Sequence, residues 1–255
     1  MTKLLSLVRN ENMKIYYRPR TWIMVALLLF AEGLIAVVQK TYGGDTQGQA
    51  LTYINAAVSL DVLVFIFAAV IASEIVAGEF TWGTIKLLLI RPANRSKILL
   101  SKYIAVLLFL LFLLIVLFVS SVFIGLIVFG TGADAVPVSF GNIVQEYGYN
   151  LVELVMNVTF AFMISTVFRS SSLALSLSFL IMFASNTAMA ILIGLEKEWA
   201  KYILYANTDL SVYAAGKQPP FEGMTLGFSV TMLLLYYVFF IGLSWMIFNK
   251  RDVAG

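Results

Sequence analysis

The length of the apolar runs limits this chain more than any other feature. Residues 104–119 read IAVLLFLLFLLIVLFV, with no polar side chain among them. Of its 255 residues, 61% are hydrophobic and 12% are charged, and the mean hydropathy is +0.93. Soluble domains run near ~45–50% apolar and ~25% charged. A water-soluble fold of this size could not hide so much apolar surface, so the surrounding medium must be lipid. Strands of a membrane barrel alternate apolar and polar residues. These runs are unbroken, so the spans read as helices.

Six spans follow, at about Thr21–Val38, Ala57–Ala77, Ile98–Phe129, Tyr149–Phe168, Leu173–Leu195 and Thr225–Phe248. The expected class is an all-α integral membrane protein. Residues 21–248 form its transmembrane domain and 249–255 a short tail. Span three is longer than a bilayer core requires, so it must tilt or protrude. Span one lacks a small-residue cleavage site and reads as a span, not as a signal peptide. Residues 39–56 and 130–148 read as outer loops. Residues 1–20 mix basic residues with Leu4, Leu5, Val8 and Ile15 at helical spacing. They predict an amphipathic helix on the membrane surface, or else a frayed basic tail.

Basic residues set the orientation. With both termini inside, the outer segments hold only Lys40, Lys197, Lys201 and Lys217, and the inner ones hold the other 13 of the 17 Lys and Arg. The bias supports an even number of spans and cytoplasmic termini.

The chain has no Cys and no His. That removes thiol catalysis, disulfides and His-ligated metals. No GxxxxGK[ST] phosphate loop occurs in the sequence, so no nucleotide hydrolysis is expected here. The chain is expected not to be an enzyme, to hold no cofactor or metal, and to need no nucleic-acid partner. Energy for any pumping must come from a partner or an ion gradient.

The inner segment after span two carries the most information. Gly83 offers a break and Thr84 a helix N-cap, Ile85 to Ile90 form a short apolar helix, and Pro92 stops it. Such a stiff helix beside Glu74, Glu79, Lys86 and Arg91 suits docking into another protein's groove. The alternative is a positively charged loop that only sets topology.

Four acids lie in or near the spans. Glu32 sits deep in span one, whereas Asp61, Glu74 and Glu153 lie near span ends and read as interfacial. A carboxylate in lipid is costly and faces the bundle interior or water. Glu32 therefore either lines a path or binds a cation, or it hydrogen-bonds to a neighbouring span. Span five carries small residues (Ser172, Ser176, Ala184) that allow close helix approach, within the chain or between copies. Trp199, Tyr202, Tyr205 and Tyr213 suit a helix held at headgroup level.

The segment Glu74–Tyr103 resembles the signature region of ABC-2 type transporter permeases. The matching residues are Glu74, Glu79, Gly83-Thr84, Leu87–Leu89, Pro92, Arg95, Ser101 and Lys102. The six spans, the basic start, the tight turn at Arg169–Ser172 and the long outer segment before span six resemble that family too. The resemblance implies the membrane subunit of an exporter, paired with a second permease copy as a homo- or heterodimer. Two separate ATPase subunits would supply ATP and magnesium chemistry.

By the same resemblance, residues 79–90 are an inner coupling helix and Arg169 marks a second contact. Residues 3–18 are the connecting helix, span five lies near the dimer axis, and re-entrant helices before span six cap the outer gate. The nearest types export bacitracin, lantibiotics or sodium, which implies a bacterial cell membrane and, in some cases, antibiotic resistance. A stand-alone secondary transporter or channel, motivated by Glu32, and a non-transporting scaffold or sensor are the alternatives.

Overall fold

The computed structural model describes residues 4–42, 50–81, 83, 94–130, 139–214 and 218–250. Among these there is no strand, and six helical segments are long and apolar enough to cross a membrane. The protein is an all-α membrane protein, as the apolar runs require. Its helices are α1 (Leu4–Tyr16), α2 (Pro19–Tyr42), α3 (Ala50–Ala57), α4 (Asp61–Thr81), α5 (Arg95–Phe129), α6 (Phe140–Phe168), α7 (Ser171–Gly194), α8 (Ser211–Ala214) and α9 (Leu226–Lys250). A 3-10 turn, Val58–Leu60, joins α3 to α4.

Local chemistry sets the helix ends. Pro19 opens α2, where its missing N–H costs nothing. The corner before it is held by Thr21 Oγ1 donating to Ile15 O at 2.6 Å and Trp22 Nε1 donating to Tyr16 O at 3.0 Å. Asn94, Ser139 and Ser170 cap α5, α6 and α7 through their side-chain oxygens. Arg169 ends α6 in the left-handed region, at φ 54°. That conformation is uncommon for a residue with a Cβ, and it makes the turn into α7 very short.

The centre of the bundle is α4 against α6. Ala68, Ala69, Ala72 and Ala77 of α4 are fully enclosed, and small side chains let helices approach closely. Ser165 Oγ of α6 donates to Ser73 O at 2.6 Å and accepts from Ala77 N at 3.2 Å. Tyr103 of α5 and Thr159 of α6 share a hydrogen bond of 2.7 Å between their hydroxyls. Many other hydroxyls donate to carbonyls three or four residues back, as Thr166 and Ser244 do. That habit satisfies a polar group where no water reaches it. Helices α2, α7 and α9 lie outside and present mostly uncovered apolar faces.

Several boundaries differ from the sequence reading. The expected outer loop 39–56 contains α3, whose Tyr53, Ile54 and Ala57 are buried. Ala50, Tyr53, Ile54 and Ala57 form one helical stripe inside a glycine-rich stretch, and the stripe seats α3 on α5. Helix α6 begins at Phe140, well before Tyr149. The buried face of α1 is Leu7, Val8, Glu11 and Ile15, while Leu5 is largely exposed. Residues 198–214 form two 3-10 turns (Glu198–Tyr202 and Leu204–Ala206) and α8, not one continuous helix. Their aromatics divide: Trp199 and Tyr202 stay exposed, Tyr205 donates to Asn157 Oδ1 at 2.8 Å, and the Tyr213 hydroxyl meets Ser229 Oγ at 2.7 Å.

Gly125 is where α3 and α5 come closest. A Cβ there would lie 3.2 Å from Ala50 O, from Ile54 Cγ1 and from Tyr53 Cδ1. Gly125→Leu should therefore displace α3 and destabilise the fold by about 1–3 kcal/mol. Thermal unfolding in detergent checks this; an unchanged melting temperature would refute the close packing.

Candidate functional site

The end of the bundle where α1 packs gathers a charge cluster from three helices. Lys102, in the second turn of α5, is 1% exposed. Its Nζ donates to Glu11 Oε2 of α1 at 2.9 Å and to Glu79 Oε1 of α4 at 3.0 Å. Lys14 of α1 reaches the same two acids, Glu11 Oε1 at 3.1 Å and Glu79 Oε1 at 2.7 Å. Two ammonium groups and two carboxylates thus alternate and balance. A lone ammonium at the Lys102 position would be costly, and its two carboxylate partners are what make the burial tolerable. Burial alone would lower the Lys14 ammonium, but the Glu11 and Glu79 carboxylates outweigh it and hold the group above its ordinary value.

One turn before Glu79, Glu74 pairs with Arg20 and lies 3.5 Å from Arg18 Nη1. These arginines belong to the corner between α1 and α2. Four acid–base contacts and two arginine contacts therefore tie α1, the start of α2, the end of α4 and the start of α5 into one unit. A groove of about 880 Å³ lies along this unit, lined by Leu7, Glu11, Arg18, Glu74 and Glu79 among others.

Of the expected contact residues, Glu74, Glu79 and Gly83 belong to or adjoin this unit. Glu79 lies in the last turn of α4, continuous with the span, and not in a separate loop helix. Gly83 follows in an exposed turn at φ 66°, a conformation that favours glycine. Thr84, Ile85, Lys86 and Arg91 lie outside the described residues. Arg169 sits apart, at the α6–α7 turn, with its guanidinium 4.2 Å over the Phe80 ring. That cation–π contact joins the turn to the same end of α4.

The sequence reading missed Glu11. A signal was present: Glu11 shares the i, i+4 stripe of Leu7 and Ile15, so an acid interrupts an otherwise apolar face. Its partner Lys102 lies 91 positions away, which no local pattern reveals.

The small residues of α7 divide into two faces. Ala174, Ser178 and Ser185 are buried within the chain. Ser172, Ser176 and Ala184 point away from it and are exposed. Packing within the chain therefore does not use the latter three. Asp61 accepts from Asn150 Nδ2 at 2.9 Å and is half-buried, as is Glu153. Glu32 is fully enclosed inside the protomer.

Comparison with known proteins places this architecture. Residues 21–254 match the family described as "Protein of unknown function (DUF2705)". The chain is 42% identical over 232 residues to "Uncharacterized protein YhcI" of Bacillus subtilis (strain 168), covering 86% of this chain and 74% of that protein. It is 33% identical over 244 residues to "Uncharacterized membrane protein YdbK" of the same organism, covering 94% of this chain and 99% of that protein.

Removing Lys102 leaves two adjacent, largely buried carboxylates with only the half-exposed Lys14 between them. Lys102→Ala should cost about 3–5 kcal/mol of stability. Lys14→Ala, at a side chain 46% exposed, should cost less than about 1 kcal/mol. Denaturant titration of both variants in detergent tests the ranking; equal losses would contradict the buried-pair account.

Proposed function

The chain belongs to the DUF2705 family, and we propose that it is the membrane-spanning subunit of an ATP-driven exporter. The observation that carries this reading is the braced inner end of α4. Lys102 and Lys14 clamp Glu79 to α1 and α5 immediately before Gly83 and the segment 84–91, the stretch that resembles an ATPase-docking helix. A force applied there would not bend the last turn of α4 alone. It would move α1, α4 and α5 together, and α4 lies at the centre of the bundle. This is the mechanical property an externally driven membrane subunit needs.

In this proposal two ATPase subunits bind ATP and magnesium and close on each other. Their closure displaces the 79–90 region of each permease copy, and Arg169 on Phe80 carries the same displacement to the α6–α7 turn. The exposed Ser172, Ser176 and Ala184 face of α7 meets a second copy, and the substrate path forms between the copies. The protein sits in a bacterial cell membrane with both termini in the cytoplasm. Antimicrobial peptides, drugs, lipid-like molecules and ions are the substrate classes that suit such an apolar path.

The test is purification from native membranes followed by ATPase assay. The expected result is a complex with a nucleotide-hydrolysing subunit whose activity the permease stimulates. Gly83→Trp meets nothing within 4 Å among the described residues, though its φ of 66° strains any side chain locally; it should still insert and should lower that stimulation. Glu79→Arg should lower both stimulation and stability. Unchanged coupling in both variants would refute the placement of the contact.

A further inference from the structure

Glu32 lies in α2, enclosed by α3, α5 and α6, with no exposed surface. Neither carboxylate oxygen has a hydrogen-bond partner among the described residues. The hydroxyls around it explain why. Ser120 of α5 lies within hydrogen-bonding reach of the carboxylate, but its hydroxyl also lies 2.5 Å from Val116 O, so its single proton serves one acceptor at the expense of the other. Ser121 donates to Phe118 O at 2.9 Å, and Tyr53 of α3 donates to the backbone oxygen of Glu32 at 3.1 Å. The Tyr147 hydroxyl of α6 is also buried, with Ser121 as its hydroxyl neighbour. A hydroxyl has one proton and two lone pairs. With the Tyr53 proton given to a carbonyl and the single Ser120 proton divided between Val116 O and the carboxylate, much of what faces the carboxylate is oxygen lone pairs.

Oxygen facing oxygen in an apolar interior repels unless something positive stands between them. No basic side chain supplies it: among the described residues no charged group acts on Glu32, and the charged groups that act on Tyr147 are the acids Glu32, Asp61 and Glu146. Lys40, two turns further along α2, is exposed. The connecting sequences 43–49 and 131–138 contain no Lys or Arg. One carboxylate balances one positive charge, which favours a monovalent over a divalent ion. Small hard cations take oxygen ligands of this kind.

We propose that Glu32, Ser120 and Tyr147 form a binding site for a monovalent cation, a proton or a sodium ion, inside each protomer. A proton on Glu32 would be donated to the Ser120 oxygen; a sodium ion would take the carboxylate and hydroxyl oxygens together. The site is distinct from the charge cluster around Lys102, and its occupancy can be read with no ATPase present, so this proposal can fail while the exporter reading stands.

The test uses the full-length protein in lipid nanodiscs, treated with dicyclohexylcarbodiimide. This apolar reagent attacks carboxylic acids in their protonated form, and peptide mass spectrometry reads the modification at Glu32. The site predicts modification that is lost as pH rises. Protection by sodium chloride, but not choline chloride, at fixed pH assigns sodium; a pH dependence indifferent to sodium assigns the proton. Ser120→Ala should shift the sodium concentration or the pH at half-protection, which a merely structural carboxylate would not show. Glu32→Gln keeps the shape of the neutral acid, and its melting temperature should lose the wild-type response to pH or sodium. Glu32 left unmodified at every pH and salt, in protein whose melting responses match those of Glu32→Gln, would overturn the proposal.

Discussion

The burial of a single ammonium group organises the half of this protein where α1, α4 and α5 meet. Lys102 could not occupy its position without two carboxylates, and those carboxylates come from different helices. Glu11 fixes how α1 rolls against α5, and so which of its faces is buried. Glu79 fixes where the last turn of α4 ends. The ion cluster does not add much net attraction over an apolar packing of the same shape, because desolvation offsets most of the Coulomb gain. Its consequence is geometric: three helices have one mutual arrangement in which every charge is paired.

The remaining architecture rests on a different principle. Between α4 and α6 the contact is made by alanines and by hydroxyls that satisfy backbone groups across the helix pair. In lipid, apolar area gives no strong preference for one helix neighbour over another, so close approach and hydrogen bonding decide the packing. The same principle separates the two faces of α7, one spent inside the protomer and one left outward. The ion cluster ties α1, α4 and α5 together at one end, while α4 packs most extensively on α6.

The six spans were legible because each rests on an apolar run that only a membrane helix can use. Other features depended on distant partners. The stripe Ala50–Tyr53–Ile54–Ala57 was visible in principle, but neighbouring glycines suggested a loop, and only Gly125 of α5 makes room for the helix. Trp199, Tyr202, Tyr205 and Tyr213 looked like one amphipathic surface. Two of them instead turn inward, because Asn157, 48 residues before Tyr205, and Ser229, on the span that follows Tyr213, provide partners. Glu32 was legible as an anomaly, though the commitment of the surrounding hydroxyl protons to carbonyls was not. At the end where α1 packs, Glu74 and Glu79 stood out from the sequence, whereas Glu11 gained its meaning only from a lysine in another helix.

The central claim is that the region after α4 receives force from a separate ATPase. A photo-crosslinking amino acid placed at position 83 in native membranes tests it most directly. The account predicts a covalent adduct between this chain and a soluble subunit that carries a nucleotide phosphate loop, identified by mass spectrometry. Adducts confined to lipid or to other copies of this chain, in membranes where the protein is folded and transports its substrate down an ion gradient alone, would contradict it.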